Sequence, residues 1–245
     1  MLFPWQAFSA AHFAVAPGVI EFDLENIQTQ TFLVTNDGDQ RIRLIVRPVY
    51  YAVDSRFLAA GKPIDAAQIT DDNLTKFILA SPRVFSLKPG QKRNVRVSLK
   101  KGAGDAPGDY RAHLLVQTLG SAEGPEEGGG AGQGVQIKLT TSLESALAVY
   151  ARRGKAKPEL AWTCAKNAQG QLVINLKNPT PWRYNGWAGL IDPSGTAKPF
   201  FMRLVAQRES VKELILNPPY PQSITLQWGP QQDQLTDGSA SCQVP

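Results

Sequence analysis

Short runs of Val, Ile, Leu, Thr and aromatic residues, each closed by Gly, Pro, Asn or Asp, succeed one another from His12 onward. No long stretch carries the 3.6-residue period of an amphipathic helix. This rhythm restricts the chain to short strands connected in sequence, because a parallel sheet would need helical crossovers. Two sheets packed face to face are the expected form. Runs at 30–35 and 42–53 are separated by Asn36, Asp37, Gly38 and Asp39, which predicts an antiparallel hairpin. Residues 65–79 have some helical character but no clean apolar face, so a loop with one turn is expected there. A strand at 80–87 follows, then a turn at Lys88, Pro89, Gly90 and Gln91. Next comes a strand at 94–99 with Val95, Val97 and Leu99 on one face and Asn94, Arg96 and Ser98 on the other. Residues 110–119 form a further strand.

Length then sets the number of domains. A chain of 245 residues holds one large domain or two ordinary ones. Residues 152–157 are charged and lack large apolar side chains, which places a linker there between a first domain at 12–151 and a second at 158–245. The second half repeats the all-β rhythm, with runs at 160–163, 172–176, 187–191, 200–204, 211–216 and 224–228 and turn clusters between them. Residues 1–11 are apolar and end in Ser9, Ala10 and Ala11, which fits either the tail of a secretory signal or an ordered first strand. With 42% hydrophobic and 19% charged residues the chain is rich enough in apolar side chains to fold.

Several function classes lose their footing at this point. The net charge is +5, but the 26 Lys and Arg are spread among acidic residues, and no nucleic-acid stripe emerges. The cluster at Arg152, Arg153, Lys155 and Lys157 reads as a solvated linker. No run approaches the roughly 20 apolar residues that a membrane-spanning helix needs. Only two histidines occur, and His113, in the middle of a strand, reads as a partly buried sheet residue rather than a general base. Neither GxSxG, a phosphate loop nor a dinucleotide fingerprint is present. The carboxylate pairs Asp71, Asp72 and Glu126, Glu127 fall in expected loops, where solvation accounts for them. An enzyme is not expected, nor a cofactor or a metal. Cys164 and Cys242 are expected to pair, tying the last segment to an early strand in an oxidising compartment; two separate buried thiols are the alternative.

The segment 135–149 carries the most information. Its odd positions are Val135, Ile137, Leu139, Thr141, Leu143, Ser145, Leu147 and Val149, whereas Gln136, Lys138, Thr140, Ser142 and Glu144 stand between them. A glycine-rich stretch with little to bury, 120–134, precedes it. Such a long half-apolar strand fits two roles equally well on periodicity alone: facing its own core, or lending its apolar row to another chain.

Several stretches together resemble the PapD-like periplasmic pilus chaperones of the chaperone/usher pathway, with this chain a divergent member. They are Ala80 to Gln91 running on to Val95, Arg96 and Val97; Asp109 to Leu114; and Leu176, Lys177, Asn178, Pro179, Thr180, Pro181 and Trp182. The resemblance implies an all-β chain of two immunoglobulin-like β-sandwich domains arranged at an angle with a cleft between them. It implies a periplasmic protein without cofactor that binds and caps pilus or fimbrial subunits by donor-strand complementation and delivers them to an outer-membrane usher. Strand addition of this kind is a general recognition mode, of which chaperone–pilin pairing is a named case. Carried onto this sequence, the donor residues are Val135, Ile137, Leu139, Thr141 and Leu143. The family's two basic anchors for a subunit carboxylate are missing from 15–20 and 143–147, so a divergent branch either supplies the charge from Arg43, Arg47, Arg111 or Lys138 or drops that anchor altogether. A structural or adhesive surface protein built from the same sandwiches, without chaperone activity, is the alternative.

Overall fold

The computed structural model describes residues 12–26, 29–53, 60–63, 71–119, 142–194 and 198–243, all of them strand, turn or irregular. Among the described residues no helix is long and apolar enough to cross a membrane. The chain divides into two compact units. The first takes in the described residues up to Tyr51, Pro63, those from Asp71 to Asp105 and Tyr110–Ala151, and the second takes in the described residues of Ala52–Lys62, Ala106–Asp109 and those from Arg152 on.

The first unit is a two-sheet sandwich. One sheet has four strands, in the order β1 (Phe13–Ala16), β3 (Gln30–Asn36), β9 (Lys92–Leu99) and β7 (Ile78–Ser81). The other has five: β2 (Val19–Asp23), β11 (Glu144–Arg153), β10 (Gly108–Thr118), β4 (Ile42–Val49) and β8 (Val84–Leu87). A separate two-stranded sheet joins β5 (Tyr51–Val53) and β6 (Ala60–Pro63). Alternation decides which face each strand buries: Phe32 and Val34, Leu44 and Val46, Val95 and Val97, Leu114 and Val116, and Leu147 and Val149 fill one shared core. Full burial of each such side chain is worth about 1.5–3 kcal/mol.

Two expectations fail because local pattern does not say which sheet a strand joins. The runs on either side of Asn36 are not a hairpin: β3 pairs with β1 and β9, whereas β4 pairs with β10 and β8. The turn is a corner between sheets, and Asn36 builds it. Its buried Nδ2 donates to the Gln40 carbonyl at 2.7 Å and the Leu87 carbonyl at 3.2 Å, while its Oδ1 accepts the Gly38 N–H. The expected strand at 80–87 is likewise two strands in opposite sheets, broken at Pro82 and Arg83, with β7 on β9 and β8 on β4. β7 already begins at Ile78, so the end of the expected loop at 65–79 is strand, with Ile78 buried in the core. The turn at Lys88 to Gln91 is as expected. The Gln91 N–H donates to the Lys88 carbonyl, and Gly90 at φ 71° takes the left-handed position that follows a proline in a type II turn.

The second unit packs β12 (Ala161–Lys166), β13 (Leu172–Asn178) and β16 (Ser210–Leu216) against β15 (Phe200–Ala206), β14 (Tyr184–Ile191), β17 (Ser223–Gly229) and β18 (Gly238–Gln243), each set in sheet order. β18 has no counterpart in the sequence reading, because Gly238, Ser239, Ala240 and Ser241 carry no apolar signal. Pairing with β17 and the Cys164–Cys242 disulfide hold it in place. The bridge spans 78 residues and links β12 in one sheet to β18 in the other. Asn178, at the end of β13, repeats the device of Asn36 at the end of β3. Its Nδ2 donates to the carbonyl four residues on, Trp182, at 2.7 Å, and its Oδ1 accepts the N–H two residues on, Thr180. The Asn-Pro-Thr-Pro stretch is thus a corner between sheets.

Candidate functional site

The segment singled out in the sequence divides at Leu147. Val135, Ile137, Leu139, Thr141 and Lys138 lie outside the described residues. From Leu147 onward the apolar row belongs to the protein's own core, since Leu147, Val149 and Ala151 are buried in the first sandwich. Leu143, half-buried, stands at the hinge between the two stretches: its carbonyl accepts the Thr118 N–H at 3.0 Å and its N–H donates to Thr118 Oγ1 at 3.0 Å. The strand also runs further than expected. Arg152 and Arg153 are its last residues rather than the start of a linker.

What lies beside this strand follows from register. Phe13 pairs with Asn36, Leu44 pairs with Thr118, and Thr118 donates to Leu143. The starts of β1, β4 and β11 and the ends of β3 and β10 therefore lie at one end of the sandwich, and the first strand runs in the same direction as β11. Up to Ala16 that first strand pairs with β3 in the other sheet. It crosses at Pro17, which has no N–H to give, and reaches β11 at Gly18, whose carbonyl accepts the Ala148 N–H at 3.0 Å. Among the described residues, then, the edge of β11 at 143–147 that faces away from β10 has no neighbouring strand. Glu144 and Ala146 are exposed along it. Backbone of this kind is a template for a further strand.

The basic candidates divide in the same way. Arg43 and Arg47 lie on the outward face of β4, where Leu44 and Val46 point inward, and neither has an ion-pair partner among the described residues. Arg111 is committed elsewhere. Its Nε donates to Asp72 Oδ2 at 3.0 Å, its Nη1 to the Tyr51 carbonyl at 2.8 Å and its Nη2 to Tyr50 Oη at 2.7 Å. Tyr50 Oη in turn hydrogen-bonds Asp72 Oδ1, and the guanidinium lies over the Tyr50 ring. Asp72 is therefore not a solvated loop carboxylate but a buried one, because Arg111 neutralises it.

His113 stands two residues along β10, buried and packed on the Tyr51 ring with centroids 5.3 Å apart. Burial, with the Arg111 charge second, holds its pKa down to about 4. It is a neutral sheet residue.

Spacing also missed a second buried carboxylate, Asp109. Asp109 accepts from Arg152 Nε at 2.9 Å, Arg152 Nη2 at 2.5 Å and the Arg183 N–H at 2.5 Å, and all three residues belong to the second unit. Lys157 reaches Asp237 at 3.4 Å. Members of the supposed solvated cluster thus have partners; the only advance signal was Asp109 beginning an apolar strand.

No protein-family model matches this chain, and no curated protein does. Solved structures do. The Escherichia coli chaperone DraB aligns with a TM-score of 0.55 and 13% identity over 96% of this chain and 96% of its own. A chain of the Salmonella enterica SafA pilin–SafB chaperone complex aligns with a TM-score of 0.55 and 13% identity over 91% of each chain. A chain of the CsuC–CsuE chaperone–tip adhesion subunit pre-assembly complex, from the archaic chaperone-usher Csu pili of Acinetobacter baumannii, aligns with a TM-score of 0.52 and 16% identity over 96% of this chain and 100% of that one. At such identities the likeness is one of fold, and this chain has the two-domain, all-β fold of chaperones solved alone and in complex with pilin or tip adhesion subunits.

Proposed function

We propose that this protein is a periplasmic chaperone that caps pilus or fimbrial subunits by lending them the strand at residues 135–143, and passes them to an outer-membrane usher. The observation that carries the reading is the transfer of the first strand from β3 to β11 at Gly18, which leaves the leading part of β11 without a strand beside it among the described residues. An added strand there would gain main-chain hydrogen bonds, and Val135, Ile137, Leu139 and Leu143 would enter the partner's open core. Burying four such side chains contributes on the order of 6–12 kcal/mol before ordering costs. The fold shared with chaperones bound to pilin and tip subunits supports the same reading. Domain roles follow from it: 12–151 donates the strand, 158–245 completes the chaperone, and Arg43, Arg47 and Lys138 are the basic groups left to meet a subunit carboxylate.

Co-expression with a candidate pilus subunit tests the proposal. A soluble one-to-one complex is expected on size exclusion, lost in the I137D/L139D variant. A subunit that stays insoluble with the wild-type chain, or a complex unchanged by the double substitution, would contradict it.

A further inference from the structure

The two sides of the second sandwich end differently. On one side the outer strands β12 and β18 are tied together by the Cys164–Cys242 bridge. On the other, β16 ends the three-stranded sheet, with β13 as its only paired neighbour among the described residues. β16 is seven residues long and apolar on both rows. Val211 and Ile215 point outward and are 54% and 42% exposed, while Leu214 and Leu216 turn inward and pack on the core. An apolar edge of this length is a template for another strand, and two copies of one chain bring identical edges to each other.

Lys212 interrupts the inward row. It stands opposite Leu176, which is buried in the core, and alternates with Leu214 and Leu216. Half-buried there, it has no ion pair and no hydrogen bond among the described residues, so its ammonium depends on the water that reaches it at the open edge. Burial pulls its pKa below the ordinary lysine value, the mark of a charge already short of water. Glu213, the next residue, points outward to solvent.

We propose that Lys212 keeps the β16 edge from pairing with a second copy of this chain. A strand laid against β16 would seal the inward row and strip the ammonium of its remaining water, in whatever register the two copies met. The inward row, Ser210, Lys212, Leu214 and Leu216, holds no carboxylate, so the second copy brings nothing to replace that water. An inward-pointing charge is one of the devices by which an edge strand is closed to further pairing. Replacing it with an apolar side chain leaves both rows continuous and removes the penalty. β16 belongs to the second unit, and the inference stands apart from strand donation by 135–143.

Sedimentation velocity and hydrogen–deuterium exchange of the full chain, over a range of concentrations, test it. K212L is expected to self-associate at least tenfold more tightly than wild type, with alternate amides in 210–216 gaining protection as the concentration rises. K212R, which keeps the charge, and E213L, which removes a charge from the outward row, are expected to stay close to wild type. The K212L chain should also melt at or above the wild-type temperature, because leucine replaces a charge that the fold tolerates at a cost. A K212L chain that associates no more than wild type, equal association by E213L, or new protection confined to residues outside 210–216 overturns the proposal. So does a K212L chain that melts below wild type. The position of the new protection also tells this association from one made through 135–143.

Discussion

The guanidinium of Arg111 and the carboxylate of Asp72 meet at 3.0 Å with both side chains largely out of water, across 39 residues of sequence. A buried pair of this sort is costly to break from one side, because the charge left behind keeps its desolvation penalty. Asp72→Ala is expected to cost about 3–5 kcal/mol in urea denaturation followed by circular dichroism. Replacing both charges, as in D72L/R111M, should recover much of that loss. A small effect of D72A alone would mean that water reaches Arg111.

Acid should loosen the same region through His113. In the unfolded chain this imidazole has a pKa of 6.5, and in the fold it is held down to about 4, so the unfolded state takes up the proton first. Stability is therefore fully present above pH 6.5, falls as the pH drops towards 4, and levels off below it, by about 3 kcal/mol in all. Urea midpoints measured between pH 7.5 and 4 should show this decline, and the H113L variant should flatten it. Matching slopes for the two proteins would remove His113 from the account.

The paired corners make a prediction about symmetry. Asn36 and Asn178 each satisfy carbonyls that a corner between sheets would otherwise leave without partners. Asn36→Ala and Asn178→Ala should each cost about 1–3 kcal/mol, while the conservative Asp variants, which keep the acceptor and lose the donor, also fall short of wild type. Hydrogen exchange should assign the two losses to different units. A uniform loss of protection across the chain would show that the units do not unfold separately.

Reduction should act on the second unit. The Cys164–Cys242 link closes 78 residues, and removing it by C164S/C242S is expected to lower stability by about 2–4 kcal/mol. Tryptophan fluorescence reports mainly on this unit, since four of the five tryptophans, Trp162, Trp182, Trp187 and Trp228, belong to it. An unchanged melting curve under reductant would argue against the bridge in solution.

How much of this was legible in the sequence depended on how far apart the cooperating residues lie. The buried row of Val95, Val97 and Leu99 could be read directly, because alternation is local. That β3 and β4, or β7 and β8, sit in opposite sheets could not, since a hairpin and a corner share the same turn residues. Asp72 looked solvated because its partner is on β10, and β18 was invisible because small residues held by pairing and a disulfide leave no apolar trace. For the donor segment, periodicity shows which side chains share a face and is silent about whose core they fill.

Hydrogen–deuterium exchange of the chain alone and with bound subunit tests the central claim most directly. Strand donation predicts that the Glu144 and Ala146 amides, on the open edge of β11, exchange rapidly in the free protein, and that these and the alternate amides of 135–143 become protected by at least a hundredfold in the complex, in a pattern set by one new edge of hydrogen bonds. A complex in which those amides exchange as before, with protection appearing elsewhere, would contradict the account.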